Sequence, residues 1–106
     1  MLTKNCSTGE KVLAGIFRKA LELNSTEIEI EYKDGCEEIF AYRNNFGAGI
    51  GNLKSSSEEA KMLRSFLYGA KKATTIVDSA DKFQFSVKIQ EDFGEDTFHI
   101  RFKKVI

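Results

Sequence analysis

The sequence runs to 106 residues, 42% of them hydrophobic, with nine phenylalanines and no proline. Sixteen basic and sixteen acidic side chains cancel, so net charge gives no general attraction to nucleic acid or to an anionic membrane. This length and aromatic content predict a single domain over 1–106 with a real core, and they exclude a disordered chain.

Residues 1–6 read as a short polar lead. Ser7 and Glu10 fit a capping box, and apolar residues follow at Val12, Leu13, Ile16, Phe17, Ala20 and Leu23. The spacing predicts a helix over 8–23. Residues 27–43 then alternate apolar and polar, turn on Asp34-Gly35, and alternate again, which predicts a two-residue hairpin. With that turn, Ile30 faces Ile39, Ile28 faces Ala41, Glu29 faces Phe40 and Glu27 faces Tyr42. Phe40 and Tyr42 therefore fall on the charged side of the hairpin, either partly covered by the chain termini or a loop, or forming a contact patch.

Gly47, Gly49 and Gly51 alternate through 44–57, and this stretch reads as a loop. A second helix is predicted from about Ser56, capped by Ser56 and Glu59. Its stripe is Leu63, Phe66, Leu67, Ala70 and Ala73, supported by Met62, with Lys71 and Lys72 in its last turn. A short strand is expected at 74–77 and two long ones at 82–90 and 97–105, turning around Gly94. The order is α-β-β-α-(β)-β-β, read as two αββ units. It predicts an α+β two-layer sandwich: an antiparallel sheet of four or five strands with both helices on one face.

The chemistry-bearing residues are few. The three glycines precede a helix and Lys54-Ser55, which suggests a candidate ligand loop at Gly47, Gly49 and Gly51. A P-loop needs glycine directly before the Lys-Ser pair, and Leu53 stands there. Glu27, Glu29, Glu31, Glu37 and Glu38 make an acidic strip on the hairpin, read as a solvated face. An enzyme using Glu27 and Glu29 with His99 is the least favoured class. His99 has no recognisable nucleophile context, and Cys6 and Cys36 suggest neither a disulfide framework nor a zinc cluster. Arg43, Lys88, Arg101 and Lys103 lack the outward aromatics of an oligonucleotide-binding sheet. No catalytic, metal or cofactor site is expected, and no nucleic-acid partner. No apolar run is long enough to cross a bilayer, and the first residues lack a secretory-signal pattern. A cytoplasmic location without membrane insertion is the expectation.

Two segments carry a family resemblance. Residues 20–30, Ala-Leu-Glu-Leu-Asn-Ser-Thr-Glu-Ile-Glu-Ile, and 40–47, Phe-Ala-Tyr-Arg-Asn-Asn-Phe-Gly, resemble the PAS-like domain that precedes the motor in type II secretion and type IV pilus assembly ATPases. Phe93-Gly94-Glu95 followed by Arg101 is similar to that domain's later hairpin. Glu27 and Glu29 stand where the family has Asp and His, and 83–87 lacks the family's arginine. The resemblance implies a PAS-like α+β fold that lends arginines to the nucleotide on a neighbouring motor subunit, and Arg43 and Arg101 are the residues it carries over. With no Walker motif in the sequence, it implies a stand-alone relative of the accessory domain rather than an ATPase. The expected function is a non-catalytic interaction or regulatory module connected with secretion or pilus motor assembly. Its candidate contact residues are Phe40, Tyr42, Arg43 and Arg101, and it acts through a protein partner or self-association. The alternative is a small-ligand or nucleotide-sensing PAS-like domain.

Overall fold

The structure, a computed structural model, describes residues 7–70, 74–92 and 94–105, with only the backbone of Asp92. Helix α1 spans Thr8–Glu22, followed by β1 Glu27–Lys33, β2 Cys36–Arg43 and β3 Phe46–Lys54. Helix α2 spans Glu58–Gly69, followed by β4 Thr74–Asp78, β5 Asp81–Asp92 and β6 Glu95–Lys104. The fold is α+β, with two helices and one antiparallel sheet of six strands in the order β3-β2-β1-β6-β5-β4. The expectation of four or five strands is corrected by β3. The two units are αβββ rather than αββ, and they join where β1 pairs with β6.

Local chemistry explains each boundary. Ser7 Oγ accepts from the Glu10 amide at 3.2 Å, and Glu10 Oε1 accepts from the Ser7 amide at 3.1 Å, completing the capping box. At the other end Asn24 takes φ 56°, and the Ser25 amide donates back to the Ala20 carbonyl at 2.9 Å. That geometry closes the helix with asparagine in the place glycine usually takes. The second cap is Ser57, one residue later than expected, and its hydroxyl accepts from the Ala60 amide at 3.1 Å. Lys71, Lys72 and Ala73 lie outside the described residues. Met62 is exposed and adds nothing to the core stripe.

The β1–β2 turn has φ 51° at Asp34 and 81° at Gly35, which suits the twist of the flanking strands. Its register is the expected one, residue for residue. Residues 46–54 form a strand, not the loop expected of 44–57, for two reasons. The two-residue Asn44-Asn45 connection returns the chain directly beside β2, with Asn44 at φ 56°. Gly47 is then covered from the neighbouring strand: a β-carbon on it would sit 2.5 Å from the Tyr42 ring. A ring laid over bare backbone substitutes for the side-chain packing that glycine lacks.

One apolar cluster joins Leu13, Phe17 and Ala20 of α1 and Leu63 and Leu67 of α2 to Ile28, Ile30, Ile39, Phe83, Phe98 and Ile100 of the sheet. Phe17 stacks on Phe102 with centroids 4.1 Å apart and meets Phe83 and Phe85 at 5.2 and 5.5 Å. From α2, Phe66 meets Phe85 at 6.0 Å and Tyr68 meets Phe98 at 5.1 Å. Arg18 ties α1 to the β4–β5 turn, with Nε 2.7 Å from Asp81 Oδ2 and Nη1 2.8 Å from Asp78 Oδ2.

Candidate functional site

Side chains alternate along a strand, so the residues between the core positions make the opposite face of the sheet. Register lines them up in two rows across four strands. One row runs Phe40, Glu29, His99, Lys88, and the next runs Tyr42, Glu27, Arg101, Ser86. Acids stand on β1 and bases on β5 and β6, so the two signs meet where β1 pairs with β6. Arg101 Nε donates to Glu27 Oε1 at 2.9 Å, and His99 Nδ1 lies 3.4 Å from Glu29 Oε2. An open groove of about 600 Å³ lies over these rows, lined by Glu27, Glu29, Tyr42, Lys88, His99 and Arg101. An ion pair as exposed as Arg101–Glu27 stabilises by only about 0–1 kcal/mol, so its consequence is to hold charge in a fixed position.

Phe40 and Tyr42 are half-buried, with ring centroids 6.5 Å apart. Gly47 of β3 lies against the Tyr42 ring and Gly49 beside Phe40, and of the two rings Tyr42 lines the groove. Partial burial pushes the Tyr42 phenol above its ordinary value, and the charges of Glu29 and Glu31 push it the same way. Of the residues expected at a contact surface, Phe40, Tyr42 and Arg101 share this face. Arg43 alternates onto the other side of β2. Gly47, Gly49 and Gly51 lie inside β3, and only Gly47 and Gly49 share the face of the rings. The expected ligand loop is therefore a strand, which presents no cradle ahead of a helix.

The acidic strip divides the same way. Glu37 shares its side of β2 with Ile39 and Ala41 and is only 3% exposed. Its Oε2 accepts from Arg64 Nη1 at 3.1 Å and from the Ser55 hydroxyl, while Arg64 Nη2 donates to the Ser55 carbonyl at 3.1 Å. Reading Glu37 with its neighbours as a solvated strip is thus corrected; its parity with Ile39 was the available signal. Cys36 is a half-buried free thiol, and Cys6 lies outside the described residues.

The sequence reading weighed Glu27 and Glu29 with His99 only as its least favoured class and did not place Arg101 beside them, because the β1–β6 pairing joins residues about 70 positions apart. Among the described residues no hydrogen bond links Ser86 to His99, and no group of three His, Cys, Asp or Glu side chains is placed to hold a metal ion. Among the described residues no helix is long and apolar enough to cross a membrane. The sequence matches no protein-family profile, and it matches none of the curated proteins.

Proposed function

We propose that this chain is a non-catalytic interaction module that binds a protein partner on the open face of its sheet. In this reading the molecule is a two-layer sandwich: the helices cover one side of the sheet and leave the other for recognition. The observation that carries it is the pair of aromatic rings, Phe40 and Tyr42, held on a face whose neighbouring positions on β1, β5 and β6 are mostly charged or polar. Glu31 and Glu38 flank the rings on β1 and β2, so the complementary partner segment is apolar and basic. The partner class follows from the resemblance of the first half: a subunit of a secretion or pilus assembly motor. An immobilised chain is expected to retain such a subunit from extract of its own cells, and Phe40→Ala/Tyr42→Ala to lose it. Undiminished recovery by that variant, when circular dichroism shows it folded, rejects the face.

The groove beside the rings favours a second reading. It offers about 600 Å³ lined by Tyr42, His99, Lys88 and Arg101 together with Glu27 and Glu29, a mixed set of donors and acceptors that suits a small polar ligand such as a nucleotide. A ligand that binds only the folded state raises the melting temperature. A nucleotide panel that leaves the melting temperature unchanged removes this alternative.

A further inference from the structure

The first and last strands in the sheet order are edges, and β3 is the longer of the two. An edge presents a row of backbone donors and acceptors to any chain that can lie beside it. Edges are commonly guarded by charges or proline, yet β3 has no proline and carries a single charge, Lys54, at its end. Alongside it, on the core side, a groove of about 210 Å³ separates β3 from α1. Val12, Gly15, Ile16, Ile50 and Leu53 line it. A β-carbon placed on Gly15 meets nothing within 4 Å, so the groove is open above the helix. At the start of the same strand Phe46 is 82% exposed, more than any other large hydrophobic residue described.

The register explains how these features fit. Phe46 and Ala48 face Arg43 and Ala41 of β2 and so point to the core side. Gly51 and Leu53 face Ile39 and Glu37 and point there too, because the bulge at Ile39/Phe40 inserts one residue and resets the phase. Facing residues in an antiparallel pair must point to the same side. Two copies of β3 meet that condition when Phe46 faces Leu53 of the second copy, Gly47 faces Asn52 and Ala48 faces Gly51; at the centre the bulged Ile50, which lines the core-side groove, faces Gly49, which has no side chain to conflict with it. Phe46 then lies over Leu53, which lines the groove.

We propose that two copies of this chain associate through β3 into one continuous sheet, each copy seating its Phe46 in the β3–α1 groove of the other. The charges agree with this occupant. None of the facing pairs joins like charges, and Lys54 falls opposite Asn45 in the turn. Lys19, the one charged side chain lining the groove, presents a cation to the incoming ring. Eight residues a side with both rings seated fall well short of the about 20–30 residues a side of a standard stable interface, so the dimer is a weak, reversible one.

Sedimentation equilibrium from about 10 µM to about 1 mM spans the range expected for an interface of that size. The average mass is expected to rise from one chain towards two. Phe46→Ala weakens association by about tenfold or more, as loss of a buried aromatic anchor does. Gly15→Leu, which fills the groove from the helix side, weakens it similarly while leaving the urea midpoint of the monomer at or above its original value. Lys103→Ala, an exposed position on the other face of β6, leaves association unchanged. A single-chain mass at every concentration overturns the proposal. So does association that survives both Phe46→Ala and Gly15→Leu, or that is abolished by Lys103→Ala.

Discussion

Glu37 shows how much one position can decide. Alternation commits its side chain to the core side of β2, where an unpaired carboxylate is costly, and Arg64 and Ser55 answer it. Arg64→Ala leaves that carboxylate with the Ser55 hydroxyl alone and is expected to lower stability by about 2 kcal/mol, tempered by the partial exposure of Arg64. Replacing both residues, as Glu37→Met/Arg64→Leu, is expected to recover most of the loss in the same urea titration. Tyr68 donates its hydroxyl to Asp96, and this bond is the main reason its phenol is pushed from 10 to about 12. A pKa raised by folding contributes stability below pH 10 that is lost as pH climbs towards 12. Thermal melts of Tyr68→Phe are therefore expected to fall less steeply than the parent between pH 10 and 12. Asp81 is shifted the opposite way: Arg18, and then Lys104, hold it below its usual 3.8. Its contribution is present above pH 4 and disappears as pH falls through the lower folded value, so Asp81→Asn should flatten the acid limb. The capping Ser7 and the Asp34-Gly35 turn were legible because their chemistry is local. The partners of Glu37 and Asp81 come from distant segments, and no local pattern announces them.

Among the elements, α1 carries two glycines with opposite meanings. Gly9 lies against α2, where an added β-carbon would come within 2.6 Å of the Met62 carbonyl oxygen. Gly9→Ala must push the helices apart and is expected to cost about 1–3 kcal/mol. Gly15 has open space, so Gly15→Ala is expected to gain about 0.5–1 kcal/mol from helix propensity. Paired denaturation curves of the two variants read the contrast directly. Both helices and four of the six strands follow from their apolar spacing, and 74–77 was foreseen as a short strand. Residues 46–54 were not legible as a strand, because three glycines carry no β propensity of their own. What makes them a strand is the Asn44-Asn45 turn on one side and the covering Tyr42 ring on the other.

The molecule as a whole depends on the β1–β6 pairing, which joins its halves at the centre of the sheet. A chain ended before Glu95 loses Phe98, Ile100 and Phe102, all core residues, and uncovers Ile28 and Ile30. Each large core side chain contributes about 3–5 kcal/mol, and a domain's whole margin is about 5–15 kcal/mol. Such a chain is expected to be unfolded, with loss of the far-ultraviolet β-sheet signal and of amide dispersion. The candidate site was partly legible for the same reason. The hairpin side of it, Phe40, Tyr42, Glu27 and Glu29, lies within one local motif. The side supplied by β5 and β6 joins it only through contacts across most of the chain.

That central junction also has a consequence in time. The ribosome adds about 5–20 residues each second, so β6 emerges roughly 4–14 s after the strand it must lie against. During that interval Ile28 and Ile30 have β2 beside them and nothing on their other flank. A nascent chain at this stage offers an unfinished apolar margin to whatever is nearby. Codon choice and chaperone supply between the two strands thus bear on yield even though neither touches the finished protein.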